Sequence, residues 1–337
     1  MIAQTGPSCP EAVESLEGSG MYGPLGRPIS LLRGERLTKS HFNSKLRALN
    51  MVDGEMKIRI GHSPDPDDAF MFHALTQGLI DTPGRTYEHV LVDIDTLNQE
   101  AQVGNFEVSA VSIHSYPKIS EEYALMNCGA SMGEGYGPIL ISNRKMSIDE
   151  AKTSIIAVPG KSTSSYLSLI LALGEVRVVE VPFDKIQPGV LSGEFDAGVI
   201  IHEGQLTWSN EGAFLVIDLG VWWNQTTGLP LPLGGNVVRR DLGEELCIEI
   251  SNDIRSSIEY SLSNPDLALQ DAIKWGRGID EDTNEEFVRM YVNDRTIDYG
   301  IEGREAVRLF LEKGQEVGLV ESDFDARGME FIGADEG

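Results

Sequence analysis

The chain has 337 residues, 41% of them hydrophobic and 24% charged, with a formal net charge of −26. That balance suits a soluble globular protein with one or two sizeable cores, and it disfavours nucleic acid and anionic membrane surfaces, which both need a positive footprint. No apolar run approaches the ~20 residues of a membrane-spanning helix. Cys9, Cys128 and Cys247 are too widely spaced for a metal signature or a disulfide framework and read as free thiols. The histidines (His41, His62, His73, His89, His114, His202) show no HExxH and no paired ligand spacing, so zinc is not expected.

Residues 1–55 stand apart. Within residues 1–50, Arg27, Arg33, Arg36, Lys39, Lys45 and Arg47 outnumber Glu11, Glu14, Glu17 and Glu35, and Gly, Pro and Ser are frequent. No helical or strand period and no apolar core of a secretory signal runs through them. They read as a disordered leader, or as untranslated sequence, since Met51 and Met56 lie just before the first strong strand.

From Lys57 the chain alternates strand and helix patterns. Strands are expected at Lys57–Gly61, Tyr87–Val92, Val108–Ser112, Ala124–Asn127 and Pro138–Ser142. Helices are expected at Ala69–Gln77, entered through Asp67 and Asp68, and from a cap at Asp95 to Gln102. After Asn143 the pattern restarts. Ser147 and Glu150 have capping-box spacing. Strands follow at Ile155–Val158, Val176–Val181, Ala197–Ile201, Phe214–Asp218 and Leu231–Val238, interleaved with helices at Ser162–Leu173, Asp184–Ser192 and Gly220–Thr227. The remainder is helical: Glu244–Ser263, Pro265–Trp275, Thr283–Val292 and Glu302–Lys313. Alternating units of this kind predict an α/β protein with mainly parallel sheets. The restart predicts two lobes, residues 57–142 plus 231–330 and residues 143–230, with a ligand cleft between them.

Four stretches carry candidate chemistry. In Ala197–Gly204 a β-branched run stops at His202, followed by Glu203. That places a proton-transfer side chain at the carboxyl end of a buried strand, where open α/β sheets bind ligands. The alternative is a strand-end histidine satisfied by a backbone carbonyl. Pro159–Tyr166 puts Gly160 and the hydroxyls of Ser162, Thr163, Ser164 and Ser165 at a helix start. That is a cradle for an anion, better suited to a carboxylate than to a nucleotide phosphate, because the P-loop spacing is missing. Ser112 ends a strand of the first lobe, with His114 just beyond it. In Gly61–Phe70, Asp65, Asp67 and Asp68 crowd a helix N-terminus; capping explains two of them, and the spacing matches no EF-hand. Trp222 and Trp223 could wall an aromatic substrate, although core packing is the commoner use of such residues.

From Lys57 to about Val320 the chain resembles the 1,4-dihydroxy-6-naphthoate synthases of the futalosine route to menaquinone. The resemblance is carried in order by SPDPDDAFMFHAL, Asp95-Thr96-Leu97-Asn98, Gly133–Pro138, Val158–Gly160, Ile200–Glu203 (IIHE), Asp218-Leu219-Gly220, Trp222-Trp223, Thr227–Gly234 (TGLPLPLG) and Arg239–Gly243. It implies a two-lobed periplasmic-binding-protein-like (type II) fold with an interdomain cleft. The implied activity is a cytoplasmic carbon–carbon lyase that cleaves cyclic dehypoxanthine futalosine into the bicyclic naphthoate and a three-carbon fragment. It implies His202 as general base, and Ala110, Val111, Ser112, Thr163, Ser164 and Ser165 as substrate-binding positions. No metal or organic cofactor is implied. The partner is a small anionic substrate, and the candidate assembly is a homodimer. The family loop commonly reads SPCPND, with cysteine and asparagine where this chain has Asp65 and Asp67, and Ser164 replaces a threonine. The competing expectations are the sister chorismate dehydratase and a non-catalytic solute-binding protein.

Overall fold

The computed structural model describes residues 51–52, 54–275 and 280–333, so all but the last few residues of the expected leader lie outside them. Thirteen strands are present there: β1 Met51–Val52, β2 Glu55–His62, β3 Arg85–Leu91, β4 Val108–Ser112, β5 Tyr123–Met126, β6 Ser131–Gly133, β7 Ile139–Ser142, β8 Ile155–Val158, β9 Arg177–Glu180, β10 Ala197–Ile200, β11 Phe214–Asp218, β12 Leu231–Arg239 and β13 Phe331–Ile332. They form two sheets. One runs β1-β2-β4-β12-β5-β13, with β3 beside β2 and β6 beside β12; the other runs β11-β7-β10-β8-β9.

The residue patterns explain the layers. In β2 the side chains of Ile58 and Ile60 are fully buried, while Lys57 and Arg59 face outward and pair with Glu88 and Glu107. That is the alternation of a strand covered more heavily on one face. The short strands β8 and β10 are apolar throughout because both faces are covered. Ile156 and Val158 pack in the cluster that holds Leu167 and Leu169 of helix Ser164–Leu173. Ala157 and Ile200 pack in the cluster that holds Ile186 and Val190 of helix Phe183–Ser192. Gly198 lets that helix sit close, since a Cβ there would lie 2.4 Å from Ile186 Cγ2 and 2.9 Å from Val190 Cγ2. Helices Glu244–Ser263 and Pro265–Ala272 close a third cluster with β2 and helix Pro66–Met71.

The expectation of mainly parallel sheets is corrected to mixed sheets. Parallel pairing joins β2 to β3 and β4, β8 to β9 and β10, and β13 to β5. Antiparallel pairing joins β12 to β4, β5 and β6, and β7 to β10 and β11. Strand–helix–strand crossovers produce the parallel pairs. β1 also pairs antiparallel with β2; the other antiparallel pairs all involve β7 or β12, the first strand after each passage of the chain from one sheet to the other. Ile139–Ser142, expected as the last strand before the restart, pairs in the second sheet, so the chain passes between sheets through residues 134–138.

Two local expectations also change. The single helix expected over Ala69–Gln77 is two, Pro66–Met71 and His73–Thr76, divided at the fully buried Phe72, whose backbone leaves helical geometry. The helix Ile94–Gln102 is capped by Asp93, which accepts from Thr96 N at 3.0 Å, and not by Asp95. Ile113–Ile119, after β4, is a 3₁₀ turn with Pro117 inside it. The capping box of Ser147 and Glu150 forms as the spacing requires.

Candidate active site

A cavity of about 770 Å³, counting its mouth open to solvent, is lined from both sheets. Its size is that of a small-molecule site. Ala110, Val111 and Ser112 reach it from β4, Thr163, Ser164 and Ser165 from the turn after β8, and His202 from the end of β10. All seven sequence-derived site residues therefore meet at one surface. Among the described residues no lysine or arginine lines it.

His202 follows β10 directly and holds a φ of 58°, the only positive φ of a non-glycine residue among those described. Histidine tolerates this left-handed geometry better than most residues, but it costs of order 1 kcal/mol and turns the chain sharply out of the strand. Its carbonyl accepts from Gln205 N at 3.1 Å. The ring lies edge-on to Phe183 with centroids 4.9 Å apart. Nδ1 lies 3.2 Å from Asp65 Oδ2, with the His202 side chain 18% exposed and that of Asp65 2% exposed. The imidazole is thus pinned on one side and open to the cavity on the other.

The cradle is built differently from a simple row of donor hydroxyls. Thr163 caps helix Ser164–Leu173, accepting from Tyr166 N at 3.3 Å and donating to Gly160 O at 2.7 Å. Ser165 Oγ lies 2.9 Å from Thr163 Oγ1, so with the Thr163 proton already committed Ser165 is the donor. Ser164 Oγ accepts from His114 N at 3.2 Å and donates to Leu233 O at 2.6 Å. These hydroxyls fix the loop, and the first-turn amides of Ser164 and Ser165, which have no intrahelical acceptor, are left to meet an anion.

Ser112 is the free donor. Its backbone N donates to Asn98 Oδ1 at 2.8 Å, and its Oγ accepts from Asn98 Nδ2 at 3.0 Å. Among the described residues its own hydroxyl proton has no acceptor, and it faces the cavity. His114 is not part of the lining. Its ring nitrogens each lie 3.2 Å from a carbonyl, Thr163 O and Leu319 O, and burial lowers its pKa. Trp222 and Trp223 do not line it either. Trp223 is buried edge-on against Phe310 and donates to Pro230 O, which is core packing.

Asp65, Asp67 and Asp68 all line the cavity. Asp68 Oδ2 accepts from Ser63 N at 2.8 Å and Ser63 Oγ at 2.6 Å. Burial pushes the Asp68 carboxyl up to about 7 against those hydrogen bonds, and Asp65 adds to the rise. Asp67 is also raised well above the carboxylate range, by burial first and then by Asp68 and Asp65, and its Oδ1 is buried without a partner. Among the described residues no three acidic, histidine or cysteine side chains are placed to hold a metal ion.

Sequence reasoning missed Gln205, Asn236, Phe287 and Tyr291. Tyr291 donates to Gln205 Oε1 at 2.7 Å, tying helix Glu281–Tyr291 to the loop after β10. Asn236 is buried in the middle of β12 with its Nδ2 unpartnered. Neither helix amphipathicity nor strand alternation marks these positions as facing a cleft; an asparagine inside an apolar strand was the one available signal.

Comparison with known proteins gives the family and the fold. The sequence profile of the family described as menaquinone biosynthesis matches residues 58–316. The chain is 38% identical over 256 residues to a 1,4-dihydroxy-6-naphthoate synthase of Thermus thermophilus, covering 76% of this chain and 93% of the relative. It is 32% identical over 270 residues to the enzyme of the same name from Streptomyces coelicolor, covering 78% and 94%. A protein of Archaeoglobus fulgidus solved by X-ray crystallography superposes with a TM-score of 0.75 at 42% identity, over 78% of this chain and 98% of that one. An alkanesulfonate-binding protein from Xanthomonas axonopodis pv. citri, solved with MOPS bound, superposes with a TM-score of 0.60 at 10% identity over 79% and 94%, a likeness of fold alone. The fold is that of the periplasmic binding proteins, and by profile and identity alike the chain belongs to the menaquinone-biosynthesis family.

Proposed function

We propose that the protein is a lyase converting cyclic dehypoxanthine futalosine to 1,4-dihydroxy-6-naphthoate, with His202 as the general base. The observation that carries this reading is the convergence of His202, the free hydroxyl of Ser112 and the helix-start amides of Ser164 and Ser165 on one cavity, in a chain 38% identical to a named synthase. The amides would hold the carboxylate without a cationic side chain. Ser112 would donate to a substrate oxygen. His202 would take a proton through the ring nitrogen not engaged by Asp65. A positioned base contributes roughly 10²–10⁴-fold, and substrate positioning with exclusion of water would supply much of the remainder. We read the two sheets as the cores of two lobes that close on the substrate, within the boundaries 57–142 plus 231–330 and 143–230 except for β7.

Among the described residues no helix is long and apolar enough to cross a membrane. We assign the protein to the cytoplasm on the strength of its biosynthetic relatives, and take a homodimer as the assembly to be tested by light scattering. Incubation of the purified full chain with cyclic dehypoxanthine futalosine, followed by liquid chromatography, tests the activity. The expected result is the naphthoate from wild type and a loss of at least about 100-fold in His202→Ala. Turnover of chorismate in place of the futalosine would transfer the reading to the sister dehydratase. Tight binding without product would make the protein a solute binder.

A further inference from the structure

We propose that Asp65 is the positioning residue of His202: its carboxylate accepts the Nδ1 proton, fixes one tautomer of the ring and leaves Nε2 bare toward the cavity. This rests on the reading of His202 as the base and extends it to a second side chain. The contact is specific. Asp65 Oδ2 lies 3.2 Å from His202 Nδ1, and the Asp65 side chain is 2% exposed. The two residues come from different sheets, Asp65 from the loop after β2 and His202 from the end of β10. Phe183 packs edge-on against the ring, with centroids 4.9 Å apart. A ring held by a carboxylate at one nitrogen and by an aromatic edge at its side has one way to present the other nitrogen.

The chemistry needs such a partner. A neutral imidazole exists in two tautomers, and only the one protonated at Nδ1 has an acceptor lone pair at Nε2. A carboxylate at Nδ1 selects that tautomer and stabilises the imidazolium formed once the proton is taken. Among the described residues no lysine or arginine lines the cavity to do either. The other acids near the ring are Asp67 and Asp68, which line the same cavity, and the buried Glu203 next in the chain. Of these, Asp65 is the acid that pairs with the imidazole, at 3.2 Å. Gln205, just beyond β10, and Tyr291, at the end of helix Glu281–Tyr291, are bonded to each other and contribute no charge of their own.

The test uses the full chain labelled with ¹⁵N-histidine. Long-range ¹H–¹⁵N spectra across pH report the tautomer and titration midpoint of His202, assigned by the signals lost in His202→Ala. The expected wild-type ring is protonated at Nδ1 when neutral. In Asp65→Asn, which is nearly isosteric, the neutral ring is expected to populate both tautomers, because an amide can donate to Nδ1 as readily as it accepts from it. Asp67, Asp68 and Glu203 are common to both proteins, so the difference reads Asp65. In parallel kcat is expected to drop roughly tenfold or more in Asp65→Asn while KM stays within about twofold.

An Nε2-protonated ring in the wild type overturns the proposal without any variant. An unchanged tautomer ratio in folded Asp65→Asn overturns it too, even if activity falls. Full turnover by His202→Ala would sink the base reading alone, and the ring signals would still decide the role of Asp65.

Discussion

Ser162 Oγ donates to Asp95 Oδ1 at 2.6 Å, joining helix Ile94–Gln102 beside the first sheet to the turn that follows β8 in the second. Ser162 Oγ also accepts from Asn98 Nδ2 at 3.1 Å, so one hydroxyl links the residue that orients Ser112 to the anion cradle. Gly160 makes room for this approach, since a Cβ there would lie 2.5 Å from Asp95 Oδ1. The capping role expected of Asp95 falls to Asp93, which releases Asp95 for this cross-link.

Removing the hydroxyl should therefore cost both stability and ligand affinity. Ser162→Ala is expected to lose about 1–2 kcal/mol in denaturant unfolding, the range for a hydrogen bond to a charged group that is partly buried. A double-mutant cycle with Asp95→Ala should show coupling of about 1 kcal/mol. Additive single effects would show that the contact contributes nothing.

The buried acids after β2 give the protein a pH dependence of defined sign. Asp67 and Asp68 have folded-state pKa values raised above the ordinary carboxylate range, Asp68 to about 7, chiefly by burial. The folded state therefore binds protons that the unfolded chain has already released. Their contribution to stability is fully present below about pH 4 and is lost as pH rises toward about 7. Asp67→Asn keeps the size of the side chain and cannot ionise. Its midpoint of denaturation is expected to exceed that of wild type at pH 8 and to approach it at pH 4. An equal difference at both pH values would show that Asp67 ionises normally in the folded protein.

Much of this was legible in the residues, and the failures have physical causes. Ile155–Val158, Phe214–Asp218 and Glu244–Ser263 have the ends that apolar period and capping signals assign. Those elements are decided by local pattern. Strand direction is not local: β12 pairs antiparallel with β4, a strand more than a hundred residues earlier in the chain, and nothing in Leu231–Arg239 says so. The division of the helix at Phe72 is likewise a matter of packing, since a buried aromatic residue satisfies helical periodicity on either side of a kink.

The site divides in the same way. His202 was readable because a β-branched run stops at it, and Ser164 because hydroxyls cluster at a helix start. The contact between Asp65 and His202 was not, because it joins loops of two sheets and the aspartates had an adequate local explanation as helix-start residues. The hydroxyl cluster lies at a helix start beside the cavity, yet hydroxyl count alone does not reveal that Thr163 donates back to Gly160 O and Ser164 to Leu233 O of β12.

The net charge of −26 yields the last prediction. Two opposing effects of salt must be weighed. Salt weakens exposed ion pairs such as Arg289 with Glu285 and Lys313 with Glu316, each worth about 0–1 kcal/mol. It also screens repulsion among the acids left over, because 53 Asp and Glu face only 27 Lys and Arg. Helix Glu281–Tyr291 shows the imbalance locally: Glu281, Asp282, Glu285 and Glu286 share a single basic residue, Arg289. Repulsion outnumbers pairing, so screening should win as the Debye length shrinks from about 10 Å at 0.1 M to about 3 Å at 1 M. Thermal unfolding is expected to shift upward by several degrees between 0.1 and 1 M potassium chloride. Sodium chloride should act equally, since the effect is screening and not site binding. Glu286→Gln should gain stability at low salt and lose that advantage at 1 M. A transition temperature that falls with salt would show that the surface ion pairs outweigh the excess of negative charge.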